Sequence, residues 1–333
     1  MRAGVYDPVS DRVVASRKAP TPSFHALGVP PGADLRARLY ADMRGLGRAL
    51  FPHASPAAVA VGFPGPMDRE GRIAAVPTVW GDDSTLPPLE VRETVASMWP
   101  ASGVYLMNDV TAASHRYLYS SADDLCVITV STGVGHKVVC DGRVRTGPHG
   151  RGGEIGHWRV SRDPEAPVCQ CGGRGHLGAL ASGTATAYHL SRLAAAQPDA
   201  FQRSLLAAAW DADRGRADNG VLVAAFHEGD PLAVGLVGEM ATLLGDAVAT
   251  LHLGVGVERF VLIGGFALAL GDRYREMVEA AGTLASWRGG LESLVTVEVG
   301  DDDDESGLLG AGRYAAAWET DRVLFWEQGR AAA

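Results

Sequence analysis

The chain has 333 residues, 47% hydrophobic and 21% charged, a balance that excludes a disordered or coiled-coil protein and gives length for two domains or one two-lobed α/β unit. Its formal net charge is -9 with no cluster of Lys or Arg, so most of its surface would repel a phosphate backbone and nucleic acid is not an expected partner. No segment reads as a signal peptide or as a membrane span of roughly 18 apolar residues, so a cytoplasmic protein without a membrane partner is expected.

Residues 2–17 read as two short strands around the turn DPVSD, followed by a loop rich in Pro and Gly. In DLRARLYADMRGLGRAL, Leu35, Leu39, Met43, Leu46 and Leu50 recur at three-to-four spacing, which predicts an amphipathic helix capped by Asp34. AAVAVGFPGPMD is a buried strand entering a Gly/Pro turn, and VYLMNDVTAASHRYLY is a strand that delivers Asn108 and Asp109 to a helix start. Free amides and the helix dipole favour a carboxylate there. LCVITVSTGVGHKVVCDGRV predicts two strands joined by a Gly turn; helices dominate after residue 182; RFVLIGGFALALGDRYREMVEAAG is again strand, glycine turn, helix. Two β-rich sections, each followed by helices, predict two α/β lobes with a cleft between them. The acidic run DDDDE at 301–305 reads as a solvated loop.

Two of the four cysteines, Cys126 and Cys140, end or lie in apolar runs and read as small buried hydrophobes. Cys169 and Cys171 differ, because with His157 and His176 they place four soft or borderline donors in twenty residues. The alternative is a set of small buried residues in a Gly-rich loop. The spacing CxCGGxGH with an upstream His instead favours tetrahedral Zn2+, and four protein ligands leave no open position, so the metal is expected to be structural. Glu154 stands three residues before His157 in GGEIGH. A metal on one face of His157 would fix its ring and leave the second nitrogen to bond something else.

The ordered motifs GFPGPMD (62–68), NDVTAAS (108–114), STGVGHKVVCDGRVRTGPHGRGGEIGH (131–157), CQCGGRGH (169–176), ASG (181–183), VLIGGF (261–266) and GLLGAGRYA (307–315) resemble those of the ROK family of repressors, open reading frames and sugar kinases. The resemblance implies a two-lobed actin-like ATPase (ribonuclease H-like) fold with an interdomain cleft. It implies a smaller N-terminal lobe over 1–112, joined by the C-terminal helix 314–333, and a larger lobe over 113–313 with the zinc loop and nucleotide site. It implies a glucokinase-like carbohydrate kinase that uses ATP and Mg2+, with a primary hydroxyl of a hexose-like sugar, an aminosugar or a C7-cyclitol as acceptor and a homodimer as the expected assembly. In that reading Asp109 is the general base that takes the proton of the attacking hydroxyl, a task that suits a carboxylate at a strand end. Its plainer alternative is a helix N-cap. Gly65, Asn108, Glu154 and His157 correspond to acceptor ligands; Thr132, Gly133 and Gly135 to a phosphate-binding hairpin whose amides cradle anions; and Gly264 and Gly265 to the turn that receives adenosine. His157, Cys169, Cys171 and His176 correspond to the zinc ligands.

Three departures qualify the resemblance. The family opens with a first strand and a DxGGTK phosphate loop, whereas MRAGVYDP resembles the segment just after that lysine; the expectation is a true start further upstream. Without that loop the alternative is a catalytically impaired sugar-binding protein, which ATP binding would separate from a kinase. The family's repressors carry an N-terminal helix-turn-helix, and the first residues here read as strands instead. His176 replaces the third zinc cysteine, Gly178 stands where an acidic acceptor ligand is expected, and Thr78 in VPTVW stands where an asparagine is expected. Loss of a carboxylate that would hold ring hydroxyls points away from glucose in its usual pose.

Overall fold

The structure is a computed structural model that describes residues 1–23, 27, 33–53, 55–68, 70–73, 76, 79, 88–147, 149–287, 295–303 and 305–331, with side chains described from 35 to 319 inside the first and last helices. The chain divides into two compact units, one made of Met1–Ser120, Thr146–Gly152 and Asp303–Ala333, the other of Ser121–Arg145 and Gly153–Asp302.

In the first unit, β1 (Arg2–Asp7) and β2 (Arg12–Lys18) form an antiparallel hairpin. Asp7 shapes its turn by accepting from the backbone N–H of Val9 at 3.1 Å and the hydroxyl of Ser10 at 2.6 Å. Helix α1 (Ala33–Leu50) starts one residue before the expected cap, which puts Asp34 inside the first turn. Strand β3 (Ala58–Phe63) leads through the short pair β4 (Arg72–Ile73) and β5 (Leu89–Glu90) to α2 (Val91–Met98), β6 (Gly103–Asn108) and α3 (Asp109–Ser114). Strands β3 and β6 run parallel, in register from Ala58↔Gly103 to Phe63↔Asn108.

Alternation explains why both strands are apolar throughout. Val59, Val61, Phe63, Val104 and Leu106 pack with Leu35, Leu39, Val91 and Val95 of α1 and α2. Ala60, Tyr105 and Met107 point the other way and meet Ala311 and Tyr314 of the C-terminal helix, Ser306–Ala331. That helix comes so close to α3 that a Cβ on Gly310 would lie 1.8 Å from the carbonyl oxygen of Ala112. In the acidic run Asp303 is committed, because Arg116 donates two bonds to its carboxylate at 2.7 and 2.6 Å.

The second unit is built on a five-stranded sheet. In chain order its strands are β7 (Leu125–Val130), β8 (Val134–Cys140), β9 (Arg143–Val144), β12 (Arg259–Ile263) and β13 (Thr296–Val299), and their spatial order is β13-β12-β7-β8-β9. The small pair β10 (Trp210–Asp211) and β11 (Arg216–Ala217) stands apart. Strands β7, β12 and β13 are parallel, whereas β8 is antiparallel to both β7 and β9. Cys126, Ile128, Val130, Phe260, Leu262 and Val297 enter one core with residues of the helices α4 (Leu177–Leu180), α5 (Ala185–Ala196), α6 (Pro198–Arg203), α7 (Asn219–His227), α8 (Pro231–Val255) and α9 (Gly265–Ala285). Burial pushes the Cys126 thiol far up, so it behaves as an inert hydrophobe, and Cys140 is half-buried.

Helix α8 corrects the expectation that no segment matches a membrane span, since by length and composition alone it would pass. Its Leu236, Val237, Met240, Leu244, Val248 and Leu251 are buried in the core of this unit. It touches α9 through glycine, where a Cβ on Gly245 would lie 2.4 Å from the Ala281 side chain. Helix α9 is interrupted at Gly271, which has φ of 68°.

Candidate active site

The first unit carries Gly65, Asn108 and Asp109. Strand β6 ends at Asn108, whose side-chain oxygen accepts from the backbone N–H of Val110 at 3.0 Å and Thr111 at 3.3 Å. Asn108 is therefore the N-cap of α3, and its amide also donates to the carbonyl of Gly65 at 3.2 Å. Gly65 has φ of 91°, a left-handed turn conformation that any side chain would strain. Asp109 follows the cap, exposed at the first helical position, with one carboxylate oxygen accepting from Val110 N–H at 2.9 Å. The cap is thus already supplied by its neighbour.

The other residues lie in the second unit. Parallel β7 and β12 end side by side, Ile263 opposite Thr129. Beyond β7 comes the exposed turn Ser131-Thr132-Gly133 and beyond β12 the pair Gly264-Gly265 at the start of α9. Carboxyl ends of adjacent parallel strands beside a helix N-terminus favour an anionic ligand. Gly264 has φ of 95°, and a Cβ there would lie 2.6 Å from the Val130 carbonyl. At Gly133 and Gly265 a Cβ would meet nothing within 4 Å, so backbone is open to an approaching group. Gly135 lies in β8 opposite Thr129.

Ser182 and Thr184, two residues that sequence reasoning passed over, buttress this turn. Both hydroxyls donate to the Thr132 carbonyl at 2.9 Å, while Gly183 N–H donates to the Ser131 carbonyl at 2.8 Å. The hydroxyl residues directly around the glycine of the ASG motif were the signal to read. Asn219 joins them by donating to the Gly183 carbonyl at 3.1 Å.

Glu154 and His157 occupy a loop laid against β8. A Cβ on Gly156 would lie 1.9 Å from the Val134 carbonyl, so only glycine allows this approach. The His157 Nε2 faces Glu154 at 3.9 Å, and its Nδ1 faces the sulfur of Cys169 at 3.6 Å. Cys171 Sγ lies 3.3 Å from Nδ1 of His176, and one donor atom from each of the four residues falls within 4.8 Å of the others. Tetrahedral zinc with bonds of about 2.3 Å to sulfur and about 2.0 Å to nitrogen separates unlike ligands by about 3.5 Å. The four side chains therefore fit such an ion. Gly172 and Gly175, with φ of 84° and 71°, close the loop, and a Cβ on Gly173 would strike the His176 ring at 2.2 Å. Partial burial, His157 and Arg159 lower the pKa of His176, which favours the neutral ring that a metal needs.

Gly178 opens toward Gly156, whose carbonyl would stand 3.2 Å from an added Cβ. Thr78 lies outside the described residues.

A family model described as the ROK family matches residues 51–317. A C(7)-cyclitol 7-kinase of Streptomyces hygroscopicus subsp. limoneus is 35% identical, over 95% of this chain and 91% of the relative. Among solved structures, a ROK family glucokinase from Streptomyces griseus, in complex with glucose and AMPPNP, superposes with a TM-score of 0.74 at 24% identity, covering 93% of this chain and 94% of that one. A ROK hexokinase from Thermus thermophilus gives 0.69 at 28% identity, covering 96% and 95%. The fold is the two-lobed actin-like one that the motifs imply.

Proposed function

This chain belongs to the ROK family, and we propose that it is an ATP- and Mg2+-dependent kinase whose acceptor is the primary hydroxyl of a C7-cyclitol or a closely similar hexose-like ring. One observation carries the reading: the similarity to a C(7)-cyclitol 7-kinase runs over 95% of the chain. The residues are consistent with the chemistry. Asp109 accepts the proton of the attacking hydroxyl, an oxygen–phosphorus bond forms to the γ-phosphoryl group, and the bond to the β-phosphate oxygen breaks to release ADP. Mg2+ would neutralise phosphate charge. The amides of the Thr132–Gly133 turn and of Gly264–Gly265 would receive the nucleotide, while Gly65, Asn108, Glu154 and His157 would orient the acceptor.

The His157, Cys169, Cys171 and His176 cluster would hold a structural zinc that fixes His157. With Nδ1 turned to the metal, Nε2 is left for Glu154 or the acceptor. The absence of a carboxylate at Gly178 supports an acceptor other than glucose in its usual pose. An ADP-release screen over hexoses, aminosugars and C7-cyclitols tests the reading. A C7-cyclitol is expected to show the highest kcat/KM, and ATP turnover with none of these acceptors would refute it.

A further inference from the structure

Strand β8 is apolar at Val134, Val138 and Val139, yet its centre holds His136, 7% exposed, and Lys137, 1% exposed. Buried polar side chains weaken a core unless they are used. The His136 ring is bonded to the turn that bears Glu154, and the Lys137 side chain lies against it. Backbone N–H of His136 donates to the Gly153 carbonyl at 3.2 Å, and the N–H of Ile155 donates to Nδ1 of the His136 ring at 3.2 Å. The ring is thus a neutral tautomer with its proton on Nε2. The Lys137 Nζ and Cδ lie 2.7 and 2.9 Å from the place a Cβ on Gly153 would take, with the His136 carbonyl at 2.1 Å. Gly153, with φ of 99°, is the residue type that this bracket admits. The residues before and after Glu154 are therefore both fixed by one dipeptide.

We propose that His136, with Lys137 packed near Gly153, is a positioning residue that sets the direction of the Glu154 carboxylate and so the affinity for the acceptor. This rests on the reading of Glu154 as an acceptor ligand. A residue whose backbone N–H holds the carbonyl before a binding residue and whose ring holds the amide after it removes freedom that the acceptor would otherwise have to freeze on binding.

The test compares His136→Leu, which removes the acceptor nitrogen at similar volume, with His136→Asn, whose Oδ1 can stand in for Nδ1, and with Glu154→Gln. Hydrogen exchange of the Ile155 amide is read without any acceptor present. Steady-state kinetics use the C7-cyclitol and glucose as probes. His136→Leu is expected to speed Ile155 exchange and raise the acceptor KM about ten-fold, the worth of one ordinary hydrogen bond, with kcat and the ATP KM within two-fold. His136→Asn is expected to restore both. Unchanged exchange or an unchanged acceptor KM in His136→Leu overturns the proposal, as does loss of bound metal, which would mark a general folding defect. If Glu154→Gln leaves the acceptor KM unchanged, the acceptor role of Glu154 itself fails, whereas a raised KM there with a normal one in His136→Leu refutes the positioning role alone.

Discussion

Replacement of Asp109 by Asn separates the proposed catalytic base from a helix cap, because the structure gives the cap to Asn108. The N-cap of α3 is Asn108, which accepts from Val110 and Thr111 without help from Asp109. An Asn at 109 keeps an oxygen able to accept from Val110 N–H, as Asp109 does at 2.9 Å. The loss to stability is one negative charge in the first turn, worth about 0.3–1 kcal/mol, or a few degrees in melting temperature. The loss to catalysis is the proton acceptor, typically a factor of about 100 to 10,000 in rate, equivalent to about 3–5 kcal/mol of barrier. The two magnitudes are far enough apart to be read separately. Steady-state kinetics on the best acceptor from the ADP-release screen, with thermal melting of both proteins, measures them. The expected pattern is a kcat reduced at least a hundred-fold, acceptor KM within a few-fold, and a small melting shift. A kcat within three-fold of wild type would refute the base assignment, and a large melting shift with normal kcat would return Asp109 to a structural role.

Elemental analysis is expected to find one zinc per chain, and Cys171→Ser or a strong chelator to release it and raise the acceptor KM through the freed His157. Burial lowers the pKa of both His115, edge-on to Tyr314 at 4.8 Å, and His136, where Lys137 adds to the effect, to about 4. Folded values below the ordinary 6.5 mean that each contribution is fully present above pH 6.5 and is lost as pH falls toward 4, by about 3 kcal/mol each at most; chemical denaturation across that window should show the loss, with a shallower slope in His115→Leu. Gly310→Ala should destabilise the first unit by about 1–3 kcal/mol, although Ala is the better helix former by about 1 kcal/mol, because its Cβ would lie 1.8 Å from the Ala112 carbonyl; a gain in melting temperature would contradict the packing.

How far each feature could be read from the chain depends on how local its signal is. The strand–helix junction at Asn108–Asp109 was legible because an apolar run meets two capping residues, and the β7–β8 hairpin because a Gly-containing turn separates two β-branched runs. The His/Cys cluster was legible from spacing alone, since its ends are joined by a short loop. Helix α8 gave only a weak period to read, because Leu232, Val234 and Leu243 add apolar residues beside its fully buried face. The break at Gly271 was hidden because a glycine inside a helical pattern signals little by itself. His136 and Lys137 were visible as two polar residues in an apolar strand, but their use depends on a bond to Ile155, nineteen residues further on. A tertiary contact of that kind leaves no local mark.

The loop between His157 and His176 gives a physical reason for the proposed metal to stand beside an acceptor ligand. Along residues 158–175 the only hydrophobic side chain buried in full is Ala166; Trp158 and Val168 are exposed and Val160 reaches the core only in part. Its order comes instead from glycine turns and backbone bonds such as Cys169 N–H to Gly173 carbonyl at 2.7 Å and Val160 N–H to Gly175 carbonyl at 2.9 Å. Such bonds contribute about 1 kcal/mol each against about 1–2 kcal/mol of backbone entropy for every residue held, so they cannot order the loop alone. Binding of zinc contributes on the order of 10 kcal/mol in small structural sites, enough to change that balance. His157 is the member of the cluster that faces Glu154, so a bound metal would steady the far end of the same turn that His136 holds at the near end. On the proposed reading, acceptor recognition would draw its rigidity from coordination and from one buried imidazole, because the loop itself buries almost no apolar side chain.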